Sequence, residues 1–273
     1  MKTVLAALVM LGVVCAAPTD GVLAAQKENS DISLEALVAD LALIDSPAPG
    51  LAGTATYSTF MAEDEHPAFV SGILGSPAPV VPPQMRELVR RGLTALPMLV
   101  RHLDDKRMTN LKIDNRFLTW REFGDEYDPR TPISHPPCDA DCLDKKFKET
   151  RTFKGAYLVR VGDVCFVLIG QIVNRELTAV RYQPTGGLIV NSPLETRSLS
   201  ERVRADWGKL DAQGHEASIR ADIKAGDRMS LFWRAFTRLR FYYPNAYASL
   251  DGVDAKKRDA FETEEKRIRA AKP

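Results

Sequence analysis

One short segment holds the residue types that most readily bind a metal or form a disulfide: residues 135–142 read HPPCDADC. The imidazole of His135, the thiols of Cys138 and Cys142 and a neighbouring carboxylate could complete a tetrahedron around zinc. Zinc sites of this kind usually draw a further cysteine or histidine pair from elsewhere, and the sequence contains no such second pair. In an oxidising compartment the cysteines favour a disulfide, so we predict a Cys138–Cys142 bond, with free thiols and a zinc clip as the alternatives.

Histidines elsewhere in the chain lack the partners that catalysis requires. His102 is followed by Asp104 and Asp105, which could orient an imidazole, but these residues are equally typical of a turn whose aspartates cap the next element. His215 precedes a glutamate, but no second histidine follows at the spacing of a helical zinc-protease motif. No serine-nucleophile motif, phosphate-binding glycine loop or paired-carboxylate signature stands out. The sequence therefore predicts no cofactor and leaves any catalytic residue unknown, which favours a protein that is not an enzyme.

Four polar residues belong to or follow the most apolar internal segment, residues 161–175 (VGDVCFVLIGQIVNR). They could line a ligand pocket, or they could satisfy backbone groups in adjoining loops, because an unpaired buried polar group costs about 1–3 kcal/mol. We favour the second interpretation and keep the pocket as the alternative. The residues are Gln171, Asn174, Arg175 and Arg181.

Arginines are interleaved with aromatic residues over residues 233–243, WRAFTRLRFYY. Such a mixture could bind an anionic or carbohydrate partner through stacking and cation–π contacts. It is more often an amphipathic helix with aromatic residues in the core and arginines in solvent, and we predict that arrangement.

The apolar segment itself is compatible with two structures. Residues 157–169 could form two strands joined by a Gly-Asp turn, or Asp163 could cap a helix with Asn174 near its C-terminal end. The polar residues of the segment fall on one narrow stripe of a helix but do not alternate as they would on a strand. We therefore predict a helix over residues 163–173 that is surrounded by protein, with Gly170 allowing a close neighbour.

Apolar residues recur at helical spacing in several other segments, which predicts further helices. These stripes lie in residues 34–44, 83–104, 199–207, 219–223 and 231–239. Residues 46–83 are rich in proline and predict a long covering loop with one short helix near residues 57–61. Residues 110–156 are predicted to be irregular, and two short strands are predicted at residues 178–182 and 188–190, around the turn sequence PTGG.

Residues 92–104, GLTALPMLVRHLD, resemble the second half of a HEAT repeat, whose G-x-x-A-L-P-x-L-x-x-x-L-x-D run ends on an aspartate that closes the turn. The resemblance covers about one repeat and implies stacked antiparallel helices. No second copy occurs at the expected period, which argues against a regular solenoid. The combination of VGDVCFVLIGQIVNR, AVRYQP and IVNSP also resembles a class of uncharacterised exported bacterial proteins of the planctomycete type. That second resemblance implies a similar fold and no activity.

Charge and the N-terminal segment bound the cellular role. The chain has 273 residues, and 37 Lys and Arg against 36 Asp and Glu give a formal net charge of +1, so generic electrostatic binding to nucleic acid is not expected. Residues 1–25 have the lysine, apolar core and small residues typical of a secretory signal, and the core is too short to span a membrane. We predict cleavage after Ala25, with Ala16 as the alternative. In the exported chain Cys165 is then the unpaired cysteine, predicted to be free and buried.

The sequence thus predicts a signal peptide over residues 1–25, a single mostly helical domain over residues 26–250 and a charged C-terminal helix or tail over residues 251–273. The expected fold is an irregular HEAT-like helical stack with a small two-stranded β-ribbon and long proline-rich loops. The expected location is periplasmic or extracellular, without an integral membrane span after signal cleavage. The expected function is a non-enzymatic binding or scaffold module of the bacterial envelope, with a protein or other envelope component as partner. The alternatives are a hydrolase whose site is assembled from distant loops and a small metalloprotein that uses the loop at residues 135–142.

Overall fold

The computed structural model describes residues 32–51, 59–65, 79–114, 119–127, 151–183, 186–225 and 229–270. The chain divides into residues 1–33 and residues 34–273, and the fold belongs to the second unit. The expected signal peptide and the HPPCDADC segment lie outside the described residues, so the statements about them stay predictions.

Most of the described chain is helical, as the sequence predicted. The helices are α1 (Leu34–Asp40), α2 (Pro83–Arg91), α3 (Leu96–Arg101), α4 (Val161–Ile172), α5 (Arg197–Trp207), α6 (Ala212–Ala225), α7 (Met229–Tyr242), α8 (Pro244–Ala248) and α9 (Gly252–Ala270). Helices α2 and α3 both carry a proline in the first turn, where the missing N–H leaves no hydrogen bond unmade. The apolar stripes predicted at residues 34–44 and 83–104 coincide with α1 to α3 and with the 3-10 turns that extend them.

The strands of the described chain form two sheets. They are β1 (Met108–Ile113), β2 (Trp120–Phe123), β3 (Arg151–Thr152), β4 (Tyr157–Arg160), β5 (Val180–Gln183) and β6 (Gly187–Val190). Strands β1 and β4 form an antiparallel two-stranded sheet, whereas the second sheet has the order β3-β2-β6-β5. The predicted ribbon is confirmed as the antiparallel pair β5–β6. The expectation that it stands alone beside an irregular segment at residues 110–156 is wrong, because β2 adds to β6 in parallel and β3 adds to β2.

The apolar segment is helix α4, and all 12 of its residues are buried. The predicted helix is confirmed, but it begins earlier than expected, because the N-cap is Arg160 and Asp163 is the third helical residue. The Asp163 carboxylate accepts a hydrogen bond from the Arg160 N–H at 2.9 Å, as in a capping box. Strand β4 ends at Arg160 and α4 begins at the next residue, so no loop separates them. At the other end Asn174 has a left-handed φ of 58°.

Gly170 allows the close approach that the sequence predicted. A Cβ at this position would lie 2.7 Å from the carbonyl oxygen of Arg175 and 2.8 Å from the Cβ of Leu177. These distances are too short for any other residue, so the chain after α4 folds back directly onto the helix.

Two groups of buried apolar side chains form the core. The larger group surrounds α4 and includes buried residues of α1 to α3, of both sheets and of α5. Cys165 belongs to it and is a free, buried thiol, as predicted. The smaller group lies among helices α6 to α9. Helix α9 contributes Phe261, which is 3% exposed, so this charged helix is fixed to the fold by an aromatic side chain.

The proline-rich segment is described only in part. Residues 46–51, 59–65 and 79–82 contain no helix or strand, and the rest of the segment lies outside the described residues. The short helix predicted near residues 57–61 is therefore absent from the described residues 59–61.

Candidate functional site

Three of the four polar residues predicted beside the apolar segment gather at the C-terminal end of α4. The amide oxygen of Gln171 accepts hydrogen bonds from the Thr59 hydroxyl at 3.1 Å, from the Phe60 N–H at 3.2 Å and from the Arg238 guanidinium at 3.0 Å. Arg238 is fully buried, and it also donates to the carbonyl oxygens of Gln171 and Arg234. Through these hydrogen bonds Gln171 connects α4 both to the chain near residue 60 and to helix α7.

Asn174 and Arg175 share the carboxylate of Asp222 in α6. The Asn174 amide and the Arg175 guanidinium both donate to the same oxygen at 2.7 Å. Arg175 also donates to the Ser218 hydroxyl at 3.0 Å, and its guanidinium carbon lies 5.1 Å from the centre of the Trp207 ring. These contacts join the end of α4 to α5 and α6, which is a structural role.

The arginines of α7 do not follow the predicted pattern. Arg234 and Arg238 are 4% and 0% exposed, so the expectation that the arginines of residues 233–243 face solvent is wrong for both. Arg234 pairs with Glu176 at 3.0 Å and donates to the carbonyl oxygen of Arg175 at 3.2 Å. Partners from the chain that follows α4 thus replace water around Arg234, and Gln171 of α4 and Thr59 do so around Arg238.

Arg181 lies apart from the other three predicted residues, on the four-stranded sheet. Across the strands β2, β6 and β5, one row of paired residues is Glu122, Ile189 and Arg181. The row two residues away is Trp120, Gly187 and Gln183. Side chains in register share one face of a sheet. We call this surface the outer sheet face, and it is formed by Trp120, Glu122, Thr152, Arg181, Gln183 and Ile189. The opposite face carries the core residues Val180, Leu188 and Val190.

The Trp120 indole lies across β6, directly on Gly187. A Cβ at Gly187 would fall 2.0 Å from the indole Cε2 atom and 2.1 Å from Cζ2, so only glycine permits this approach. Trp120 is half-buried. The backbone of β6 therefore supports one side of the ring, while part of the tryptophan surface remains accessible.

A two-pronged ion pair joins Arg181 to Glu126, which follows β2. Asn191 donates to the Glu126 carboxylate at 3.1 Å and accepts the Glu126 N–H at 3.0 Å. The amide oxygen of Gln183, in the orientation that satisfies its hydrogen bonds, lies 2.7 and 3.0 Å from the Arg181 guanidinium nitrogens. Burial acts to raise the pKa of Glu126, but the bonds from Arg181 and Asn191 hold that pKa below its ordinary value. The Arg181–Glu126 pair is therefore electrically neutral within the fold.

Glu122 differs from the other charged residues of the outer sheet face. Its half-buried carboxylate forms no hydrogen bond or ion pair with the described part of the chain. Burial, and then the charge of Glu126, raise the pKa of Glu122, while Arg181 acts to lower it. When Glu122 is ionised, the described residues of the outer sheet face together with Glu126 carry two negative charges against the one positive charge of Arg181.

A second polar group is buried at the start of α4. The Ser192 hydroxyl donates to the Asp163 carboxylate at 2.5 Å and the Tyr157 hydroxyl donates to it at 2.7 Å. Burial raises the pKa of Asp163 in spite of these bonds. Neither Ser192 nor Asp163 is exposed, and the contacts described for this pair include no histidine that could act as a base. The group holds the first turn of α4 to the chain after β6.

The histidine–carboxylate pair considered from the sequence exists, with Asp105 as the partner. The Nδ1 atom of His102 lies 2.9 Å from the Asp105 carboxylate, which Arg107 also binds at 2.5 Å. Burial acts to raise the pKa of Asp105, but the hydrogen bonds from Arg107 and His102 lower it to about 2. Asp104 pairs with Arg204 instead, at 2.6 Å. This arrangement is a network at the end of α3, without a nucleophile among its described partners.

His215 is fully buried between helices α4, α6 and α7. Its Nε2 atom lies 3.0 Å from the carbonyl oxygen of Ile172 and its Nδ1 atom lies 2.9 Å from the Tyr243 hydroxyl. Burial lowers the pKa of His215, which keeps the ring neutral near pH 7. This residue therefore serves packing between helices.

The metal and disulfide predictions fall outside the described residues. His135, Cys138 and Cys142 belong to the segment between residues 128 and 150, for which no structure is described. Within the described ranges, no group of three or more His, Cys, Asp and Glu residues could hold a metal ion. Zinc and the Cys138–Cys142 disulfide remain predictions.

Trp120, Glu122 and Gln183 were missed by the sequence reasoning. Trp120 and Glu122 lie on β2, whose residues Trp-Arg-Glu-Phe do not alternate apolar with polar side chains, so the sequence pattern predicted no strand there. Gln183 is the last residue of β5, one residue beyond the strand predicted at residues 178–182.

No protein-family model, curated protein or solved structure matches the chain. None of the helices in the described ranges combines the length and the apolar character needed to cross a membrane.

Proposed function

We propose that this protein is a non-enzymatic binding module of the bacterial envelope and that it binds carbohydrate on the outer sheet face. The observation that carries the proposal is the Trp120 ring, which lies on Gly187 beside Glu122, Arg181 and Gln183. An aromatic ring supported from below offers an apolar surface for the C–H face of a sugar, and neighbouring carboxylate and amide groups can bind its hydroxyls.

Pre-organisation supports the same proposal. The backbone of β6 fixes the position of Trp120, and the bonds from Glu126 and Gln183 fix Arg181. Side chains that are already ordered lose little conformational entropy when a ligand binds. A sheet is also a rigid support for such a site.

Export and local packing belong to the proposal as well. The signal-like residues 1–25 and the resemblance to exported bacterial proteins support a periplasmic or extracellular location. HEAT-like packing of α2 and α3 stays part of the proposal and rests on the resemblance of residues 92–104 alone. A helical body of this kind would position the sheet without taking part in binding.

Affinity electrophoresis and calorimetry with neutral, acidic and amine-bearing oligosaccharides test the proposal. We expect at least one class to bind, and we expect Trp120→Ala and Gly187→Ala to weaken that binding. Gly214→Ala is the matched control, because a Cβ added at Gly214 would lie no closer than 3.1 Å to any neighbouring side-chain atom and the residue is on α6. The proposal fails if no class binds, or if Trp120→Ala, folded by circular dichroism, binds as well as the unaltered protein.

One observation favours a second candidate, a glycoside hydrolase at the same surface. Burial raises the pKa of Glu122, whereas the hydrogen bonds from Arg181 and Asn191 lower the pKa of Glu126 in spite of burial. Two carboxylates with separated pKa values are the usual acid and base of such enzymes. We prefer carbohydrate binding to hydrolysis, because the Glu126 carboxylate already accepts hydrogen bonds from Arg181 and Asn191. Release of reducing ends from a bound oligosaccharide, abolished by Glu122→Gln, would establish the hydrolase instead.

A further inference from the structure

The charges of the outer sheet face restrict which carbohydrate it can take. Arg181 and Glu126 neutralise each other through two hydrogen bonds, and Asn191 binds the same carboxylate. Among these charged side chains, only the Glu122 carboxylate has no hydrogen bond or ion pair with the described residues.

Glu122 and Trp120 lie two residues apart on one strand, so their side chains leave the same face of the sheet. A carboxylate beside the face of a tryptophan ring is suited to a cation, because the ring attracts positive charge within about 6 Å of its centre. A neutral sugar would leave the half-buried carboxylate of Glu122 with no cation paired to it among the described residues, which is unfavourable. An anionic sugar would be repelled.

The geometry points to an amine-bearing carbohydrate as the ligand, with its ammonium group between the Glu122 carboxylate and the Trp120 ring and its pyranose ring stacked on the indole. This assignment rests on the proposed function, since it places the ligand on the same outer sheet face. Arg181 and Gln183 take a supporting part, as donors and acceptors toward the hydroxyls.

The test compares oligosaccharides of glucosamine with their N-acetylated counterparts of equal length, by calorimetry on the full chain. The two ligands share one backbone and differ in whether each nitrogen carries a positive charge. We expect the glucosamine oligosaccharides to bind more tightly by about tenfold or more, as for a partly desolvated carboxylate–ammonium pair. Raising the salt concentration should weaken the binding of the charged ligand and leave that of the N-acetylated ligand unchanged.

Variants separate this inference from the proposed function. Glu122→Gln keeps the shape of the side chain and should abolish the preference for glucosamine, while Trp120→Ala should weaken the binding of both ligands. Glu201→Gln is the matched control, because its carboxylate is exposed and lies on α5.

Each outcome decides between the two proposals. Equal binding of the two ligands, weakened by Trp120→Ala, overturns the cationic ligand and leaves carbohydrate binding in place. Binding of neither ligand, nor of any other saccharide, overturns both. Binding of glucosamine oligosaccharides that Glu122→Gln does not reduce, in a variant with an unchanged unfolding temperature, shows attraction to another surface and also overturns the assignment.

Discussion

Removal of the Asp222 carboxylate should destabilise the protein far more than removal of an ion pair of the same length elsewhere on the same helix. Asp222 binds Arg175 at 2.7 Å, and Glu216 binds Arg220 at 2.7 Å, both from α6. The two pairs differ in burial: the side chains are 11% and 9% exposed in the first pair and 33% and 33% exposed in the second. Distance is therefore held constant while solvent access changes.

The magnitude follows from that difference. At 2.7 Å two unit charges attract by about 6 kcal/mol for an effective dielectric constant of about 20. Desolvation of both ions offsets much of this attraction while the pair is intact, but loss of Asp222 leaves the Arg175 charge buried beside Trp207, which costs about 3–5 kcal/mol. Asp222 also binds Asn174, so that amide loses a partner as well. Exposed pairs at this helical spacing contribute about 0.3–0.5 kcal/mol.

Urea unfolding followed by circular dichroism measures both effects. Asp222→Ala should lower the free energy of unfolding by about 3–5 kcal/mol, and Glu216→Ala should lower it by about 0.5 kcal/mol or less. If Asp222→Ala does not fold, the milder Asp222→Asn and a double-mutant cycle with Arg175→Met give the coupling energy. Equal losses for the two alanine variants would refute the reasoning, because burial would then have no bearing on the strength of the pair.

Further predictions concern the sheet, a buried histidine and the free thiol. Gly187→Ala should displace the Trp120 ring and shift the tryptophan fluorescence, whereas Gly214→Ala should not, and unchanged spectra for both would contradict the close packing. His215 has a folded-state pKa below its ordinary value of 6.5, so stability is full above that value and should fall as the pH drops toward the lowered folded pKa, by up to about 1.4 kcal/mol per pH unit. A pH series of urea midpoints checks this, and the slope should become smaller in His215→Gln, where only other groups such as Asp105 still titrate. Cys165 is buried, and burial raises the pKa of its thiol well above the ordinary value. An aromatic disulfide reagent should therefore modify Cys165 only at the rate at which the protein unfolds. Rapid modification of Cys165 in the native protein, located by peptide mass, would refute its burial.

The helices were predictable because their signal is local. The apolar stripes at residues 34–44 and 83–104 need only neighbours along the chain, and the pair β5–β6 is joined by a turn that contains Gly186, which has a φ of 78°. The strand β2 was not predictable in this way. It acquires its place by pairing in parallel with β6, which lies far along the chain, and that pairing leaves no mark in its own 4 residues.

The sequence identified only part of the candidate site, because the site also combines residues that are distant along the chain. Arg181 was identified, but it was grouped with Gln171, Asn174 and Arg175 because all four lie near the same apolar segment. The structure separates them, since the first belongs to a sheet and the other three close the end of α4. Nearness along the chain predicted nearness in space only for the residues at the end of α4 and directly after it.

The direct junction of β4 and α4 at Arg160 ties the angular position of the helix to the pairing of the strand. The strand's partners are fixed by the pairs Lys112 with Leu158 and Ile113 with Tyr157, beyond an irregularity that begins after Met108. With no intervening residues to absorb a change, a slip of one residue in that pairing would turn α4 by about 100° about its own axis. The polar stripe that begins at Asp163 would then face apolar neighbours instead of Ser192 and Tyr157. The pairing of the small two-stranded sheet thus determines the orientation of the buried helix α4. Insertion of a single residue at this junction should therefore be tolerated far less well than insertion into the turn between β5 and β6.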